Sequence, residues 1–164
     1  MGSEGIKKTT KTALLTALTF AATMLIRVPV PATGGYVHPG DALVFLGGAF
    51  VGPLFGFLGA GIGSALADVA GGYMVYVPAT FVIKGLAAMV TALIARRHEK
   101  TGWFILGSLA GAAVILLGYF GFESVLYGMP AALVAVFPNI VQVLFGVLVA
   151  AILRTQGVVK MFER

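Results

Sequence analysis

The sequence predicts an all-α integral membrane protein with six transmembrane helices, both termini cytoplasmic, and short Gly-rich helices 2 and 3. Three observations carry that prediction. Of 164 residues, 59% are hydrophobic and 10% charged, with a mean hydropathy of +1.01; a soluble domain carries about 25% charged residues. Nine of the eleven basic residues fall in three clusters, Lys7/Lys8/Lys11, Arg96/Arg97/Lys100 and Arg154/Lys160/Arg164, leaving only Arg27 and Lys84 outside them. Long apolar runs separate the clusters, and cationic loops stay on the cytoplasmic face of a bilayer.

Crossing a bilayer takes about 20 apolar residues in a helix. Residues 12–28 supply the first span, with Arg27 snorkelling to the outer headgroups, and residues 1–10 form a cytoplasmic N-terminal segment. No cleavable signal peptide is expected, because the first apolar run is long and ends in Arg27 instead of a small-residue cleavage site. Residues 42–67 are long for one span and short for two. Read as one helix, they would place Arg96/Arg97/Lys100 outside. Read as two, roughly 41–53 and 54–70, they return that cluster and Arg154/Lys160/Arg164 to the inside. Such short helices need shielding by neighbours, and glycines such as Gly48, Gly52, Gly56, Gly59 and Gly63 allow the close approach. Helix 4 covers 81–95 with its flanks, helix 5 covers 103–122 and helix 6 covers 131–153. Pro138 is expected to kink helix 6 and free a backbone carbonyl. With no charge-rich linker, residues 1–164 form a single transmembrane domain.

This threading leaves three outer loops, 29–40, 71–78 and 123–130. All five tyrosines (Tyr36, Tyr73, Tyr76, Tyr119, Tyr127) gather on that side, with His38, Asp41, Asp68 and Glu123. Lys84 lies one to two turns into helix 4. Asn139 and Gln142 share a face of helix 6 through their i,i+3 spacing. An aromatic belt explains the tyrosines as well as a pocket does. It does not explain Lys84, Asn139 and Gln142, because polar groups inside a membrane are costly and face a bundle interior or cavity. Asp68 and Lys84 can pair as an internal clamp or serve a ligand, and Asp41, directly after Gly40, reads as a helix N-cap. The resulting pocket, of Tyr rings, amides and a few charges, suits a small heteroaromatic solute.

Zero cysteines exclude disulfides and thiolate chemistry, and no metal site or cofactor is expected. The chain lacks a GxxxxGKS/T phosphate loop, HExxH and GxSxG, so it cannot hydrolyse ATP itself. The net charge of +5 reads as topology and contact with anionic lipid headgroups, not as nucleic-acid binding. Ala13, Ala17 and Ala21 leave one side of helix 1 flat, a weak signal for close helix packing.

Residues 34–41 (GGYVHPGD), the FLGGAFVGPLFGFLGAGIGSALAD run ending at Asp68, and residues 73–85 (YMVYVPATFVIKG) resemble the substrate-binding S components of energy-coupling factor (ECF) vitamin transporters. The likeness is to the riboflavin-, hydroxymethylpyrimidine- and pyridoxine-type group and runs from Lys11 to about Leu153. It implies a non-enzymatic subunit of a prokaryotic plasma membrane that captures a vitamin or precursor from outside. It further implies docking on a transmembrane T subunit bearing two ATPase subunits, and toppling to release the solute. By that resemblance Ala13, Ala17 and Ala21 face the T subunit. Tyr36, His38, Asp68, Tyr73, Tyr76, Lys84, Glu123, Tyr127, Asn139 and Gln142 contact the ligand. Acids and amides outnumber bases, which favours a pyrimidine or pyridine ring over riboflavin and leaves the ribazole precursor of cobalamin open. A solitary ion-coupled carrier using Asp68, Lys84 and Glu123 as a proton relay is the competing reading. A lipid-headgroup transferase is disfavoured because the acids are scattered singly.

Overall fold

A computed structural model describes residues 2–156, so Lys160 and Arg164 of the third basic cluster lie outside the described residues. Six helices follow one another: α1 (Ser3–Leu25), α2 (Asp41–Val51), α3 (Pro53–Gly71), α4 (Val77–Ala95), α5 (Thr101–Tyr127) and α6 (Met129–Thr155). Between α1 and α2 the chain forms a hairpin of β1 (Val28–Val30) and β2 (Gly35–Val37), antiparallel with Pro29 opposite Tyr36. The sequence reading had an irregular loop there. The alternating VPV and GYV flank a turn containing Gly34, whose φ of 63° is left-handed.

The region 42–67 divides at Gly52-Pro53. Gly52 has a φ of +98°, which ends α2, and Pro53 occupies the first turn of α3, where its missing N–H costs nothing. The two halves are unequal, which corrects the expectation of two short helices. At about 1.5 Å per residue, the 19 residues of α3 reach about 28 Å. The 11 residues of α2 reach about 16 Å. Helix α2 therefore cannot cross a bilayer alone, and it packs against α1, α3, α4, α5 and α6. Its Val44 and Phe45 are fully buried at the centre of the core. Gly48 makes this possible, since a Cβ there would collide with the Ala88 carbonyl of α4.

Among the described residues four helices, α3 to α6, are long and apolar enough to cross a membrane. Helix α1 is long, but Lys7, Lys8 and Lys11 occupy its first turns, so the expected N-terminal segment is itself helical from Ser3. It also stops at Leu25, three residues before the expected end. Helix α5 runs on to Tyr127 because nothing in ESVLY breaks it before Gly128, at φ +84°. Glu123 and Tyr127 thus stand on the last turns of a helix and not in a loop. Pro138 sits inside a continuous α6. Lys11, Arg96 and Arg154, one from each basic cluster, line a common cavity, so the clusters converge on one end of the bundle. The hairpin and the α3–α4 turn occupy the other end.

Candidate functional site

At the hairpin end, five elements enclose a small polar cavity. The hairpin supplies its roof through Val30, Thr33 and Tyr36, followed by His38. Ser64 and Asp68 enter from the last turns of α3, Tyr76 and Thr80 from the start of α4, Tyr119 and Glu123 from the end of α5, and Asn139 and Gln142 from α6. Helical spacing places each pair on one face, at i,i+3 or i,i+4.

Two phenols hold the roof to the walls. The Tyr36 hydroxyl donates to Asp68 Oδ1 at 2.7 Å. The Tyr76 hydroxyl lies 3.0 Å from the Thr33 carbonyl and 3.1 Å from Glu123 Oε1, with one proton to share between them. Burial, then the neighbouring Asp68 carboxylate, pushes the Tyr36 phenol far above its ordinary range, and burial likewise raises Tyr76. Both stay neutral donors. His38 is held down to about 3 by burial and then by the Lys84 ammonium, so its ring is uncharged. Its Nδ1 accepts from the Gly40 N–H at 3.0 Å, which requires that nitrogen to be bare.

Beneath the cavity lies an ion pair. Lys84 Nζ binds Asp41 Oδ1, with both side chains fully buried, and Gln142 Nε2 donates to Asp41 Oδ2 at 2.6 Å. Gln142 Oε1 in turn accepts the His38 N–H at 2.8 Å, tying the segment after the hairpin to α6. Two sequence expectations are corrected here. Lys84 pairs with Asp41, not Asp68, because the first residue of α2 lies opposite it at the bundle centre. Asp41 caps nothing: α2 begins without a side-chain cap bond, and the carboxylate serves the ion pair.

Seven expected site residues therefore line the cavity: Tyr36, His38, Asp68, Tyr76, Glu123, Asn139 and Gln142. Three stand behind it. Lys84 is in the ion pair below, Tyr73 packs on Tyr36 with centroids 4.4 Å apart, and Tyr127 stacks on Tyr76 at 6.4 Å. Arg27, expected to snorkel outward, lies 5.8 Å over the Tyr36 ring. The sequence reading missed Thr33, Ser64 and Thr80 as lining residues and left Tyr119 unassigned. Thr80 and Tyr119 bond each other across the wall at 2.9 Å. Helical spacing was the available signal: Ser64 is four residues before Asp68 and Tyr119 four before Glu123.

Three buried oxygens on the cavity wall have no hydrogen-bond partner among the described residues: Ser64 Oγ, Asp68 Oδ2 and Glu123 Oε2. Unsatisfied buried polar atoms are costly, so they mark where a donor-bearing guest gains most. The enclosed volume is about 20 Å³, room for roughly one water. Among the described residues no cavity hydroxyl is bonded to an imidazole, and no group of three metal-ligating side chains exists. The chemistry available is recognition by acceptor oxygens, amides and ring faces.

The sequence matches the ECF-type riboflavin transporter S component family over residues 4–158. The chain belongs to that family. As an S component it is a transporter subunit and not an enzyme, and with its apolar helices it is a multi-pass membrane protein. It is 38% identical over 127 residues to an uncharacterized protein of Pyrococcus woesei, covering 77% of this chain and 85% of the relative. It is 30% identical over 158 residues to the thiamine precursor transporter HmpT of Lactococcus lactis, covering 93% and 89%.

Proposed function

We propose that this S component captures a small heteroaromatic vitamin or precursor of the pyrimidine or pyridine type, which partner subunits then import at the expense of ATP. The observation that carries the substrate class is the set of unpartnered acceptors, Asp68 Oδ2, Glu123 Oε2 and Ser64 Oγ, beside three tyrosines, Tyr36, Tyr76 and Tyr119. An aminopyrimidine bearing a hydroxymethyl group offers N–H and O–H donors on a ring small enough for the site. The kinship to a thiamine precursor transporter supports the same class. Riboflavin carries three fused rings and would displace far more of the wall.

In this reading the chain crosses the plasma membrane of a prokaryote six times with both termini cytoplasmic, and residues 1–164 act as one domain. The convergence of Lys11, Arg96 and Arg154 at the end opposite the hairpin supports that orientation. The exposed stripe Ala13, Ala17 and Ala21 of α1 is the docking face for a T subunit that carries two ATPase subunits. Ala13 and Ala17 border an apolar groove of about 810 Å³ between α1 and α3.

Isothermal titration of the purified protein with hydroxymethylpyrimidine, pyridoxine and riboflavin tests the assignment. Tight one-to-one binding of a single-ring compound, weakened in Glu123→Gln and Asp68→Asn, is the expected result. Tight binding of riboflavin alone would overturn the ring class.

A further inference from the structure

The end of the bundle opposite the hairpin holds a second polar cavity, of about 280 Å³, that plays no part in the site above. Lys11 of α1, Arg96 and His98 of the α4–α5 turn, Glu99 and Arg154 of α6 converge on it from separate parts of the chain. Three cations and one carboxylate leave a net excess of two positive charges. Among the described residues these cations make no ion pair: Glu99 meets Arg154 through its backbone carbonyl, which accepts from Nη2 at 3.1 Å. Arg154 is preset by that bond and by the Phe104 ring 4.9 Å from its Cζ. The Arg96 guanidinium lies against Gly52, where a Cβ would sit 2.9 Å from Nη1. One guanidinium held in place, Arg154, with a second, Arg96, and an ammonium around one space are the donor set that recognises a phosphate.

The neighbouring cavity gives the phosphate a source. Lys11 and Phe50 also border an apolar groove of about 140 Å³, walled by Leu15, Leu18, Leu43, Leu46 and Leu153. Lys11, Leu15 and Leu18 follow at i, i+4 and i+7 on one face of α1, so a cationic mouth passes directly into a hydrocarbon trough. An anion-binding head joined to an apolar channel matches an amphiphile and exceeds what a free anion needs. We propose that this corner binds one anionic phospholipid, its headgroup phosphate among Lys11, Arg96 and Arg154 and an acyl chain along the leucine groove.

Native mass spectrometry of the intact protein, titrated with phosphatidylglycerol or phosphatidylcholine, tests the proposal. One phosphatidylglycerol should be retained in preference to phosphatidylcholine. Arg96→Gln and Arg154→Gln should each weaken retention about fivefold, the effect of one basic residue at a lipid surface. Arg97→Gln removes the same charge from an exposed residue outside the cavity and should leave retention nearly unchanged. Equal losses in Arg96→Gln and Arg97→Gln would reduce the effect to net charge and overturn the site. Inorganic phosphate alone raising the melting temperature as much as the lipid would remove the role of the groove. Loss of partner-dependent uptake in Arg96→Gln with no lipid preference in the wild type would assign the corner to a protein interface. Arg96 makes no side-chain bond among the described residues, so its variant stays informative even if Arg154→Gln unfolds.

Discussion

The buried pair Lys84–Asp41 makes the most demanding prediction, because its members are unequally supported. Removing Lys84 leaves Asp41 with one strong bond, from Gln142 Nε2 at 2.6 Å. Neutralising Asp41 leaves the ammonium with the face of Tyr119, 5.3 Å from its Nζ. Breaking a fully buried pair costs about 3–5 kcal/mol, since the survivor is an uncompensated charge. Lys84→Met should fall near the lower end and Asp41→Asn near the upper. At about 2–4 °C per kcal/mol for a chain of this size, both should lower the melting temperature by roughly 10 °C. The double variant Asp41→Asn/Lys84→Met removes both charges and keeps an amide for Gln142, so it should recover most of the loss. Circular dichroism melts in detergent, compared as a double-mutant cycle, measure this directly. Asp68→Asn serves as a control and should leave the Lys84 effect unchanged, because Asp68 bonds Tyr36 instead. Additive single effects, or a Lys84→Met cost under about 1 kcal/mol, would refute the pair as the structural centre of the bundle.

Four further outcomes are expected. His38 is neutral in the fold down to about pH 3 but protonates near pH 6.5 when unfolded, so its contribution is full above 6.5 and falls as pH drops through that window. Stability should decline by about 2 kcal/mol between pH 7 and pH 5, and His38→Gln should flatten the slope in pH-dependent melts. Gly48→Val should cost about 1–3 kcal/mol by forcing α2 from the Ala88 backbone, seen as a lower melting temperature. Glu123→Gln should weaken ligand binding about tenfold, the loss of a charge-assisted bond, while leaving the melting temperature of the free protein within a few degrees. Ala17→Trp should fill the α1–α3 groove and abolish uptake by the reconstituted complex with binding to the isolated chain intact; loss of both would place helix α1 in the folding core.

Much of this architecture was legible because charge and hydropathy act over whole segments. The parity of the basic clusters called for a break within 42–67, and Gly52-Pro53 is where the chain makes it. What escaped was local. No composition signal separates a Gly-containing loop from a three-residue hairpin, and nothing in the apolar run before Gly128 marks where α5 leaves its predicted span. The sequence offers Asp68 as the partner of Lys84 and Asp41 as a helix cap, whereas the structure pairs Lys84 with Asp41. Which carboxylate reaches it depends on how far α2 sinks between its neighbours, a property of Gly48 meeting Ala88 that appears only in three dimensions.

That depth also separates the two sides of the pocket energetically. The floor is the Asp41–Lys84–Gln142 group, buried among α2, α4 and α6 and held by charge-assisted bonds that no small ligand can replace. The roof is a hairpin of six strand residues, fixed to the walls by Tyr36 on Asp68 and by Tyr76 on the Thr33 carbonyl. Each such bond contributes about 0.5–1.5 kcal/mol net, somewhat more where a carboxylate accepts, so parting the roof costs far less than disturbing the floor. A cavity of about 20 Å³ admits no aromatic ring without one of them moving. The proposed guest therefore enters under the hairpin, and Asp68, freed from Tyr36 by that motion, meets it together with Glu123, whose Oε2 is already unpartnered among the described residues. Tyr36→Phe should accordingly speed ligand association in stopped-flow measurements, whereas Lys84→Met should change stability with little effect on the association rate.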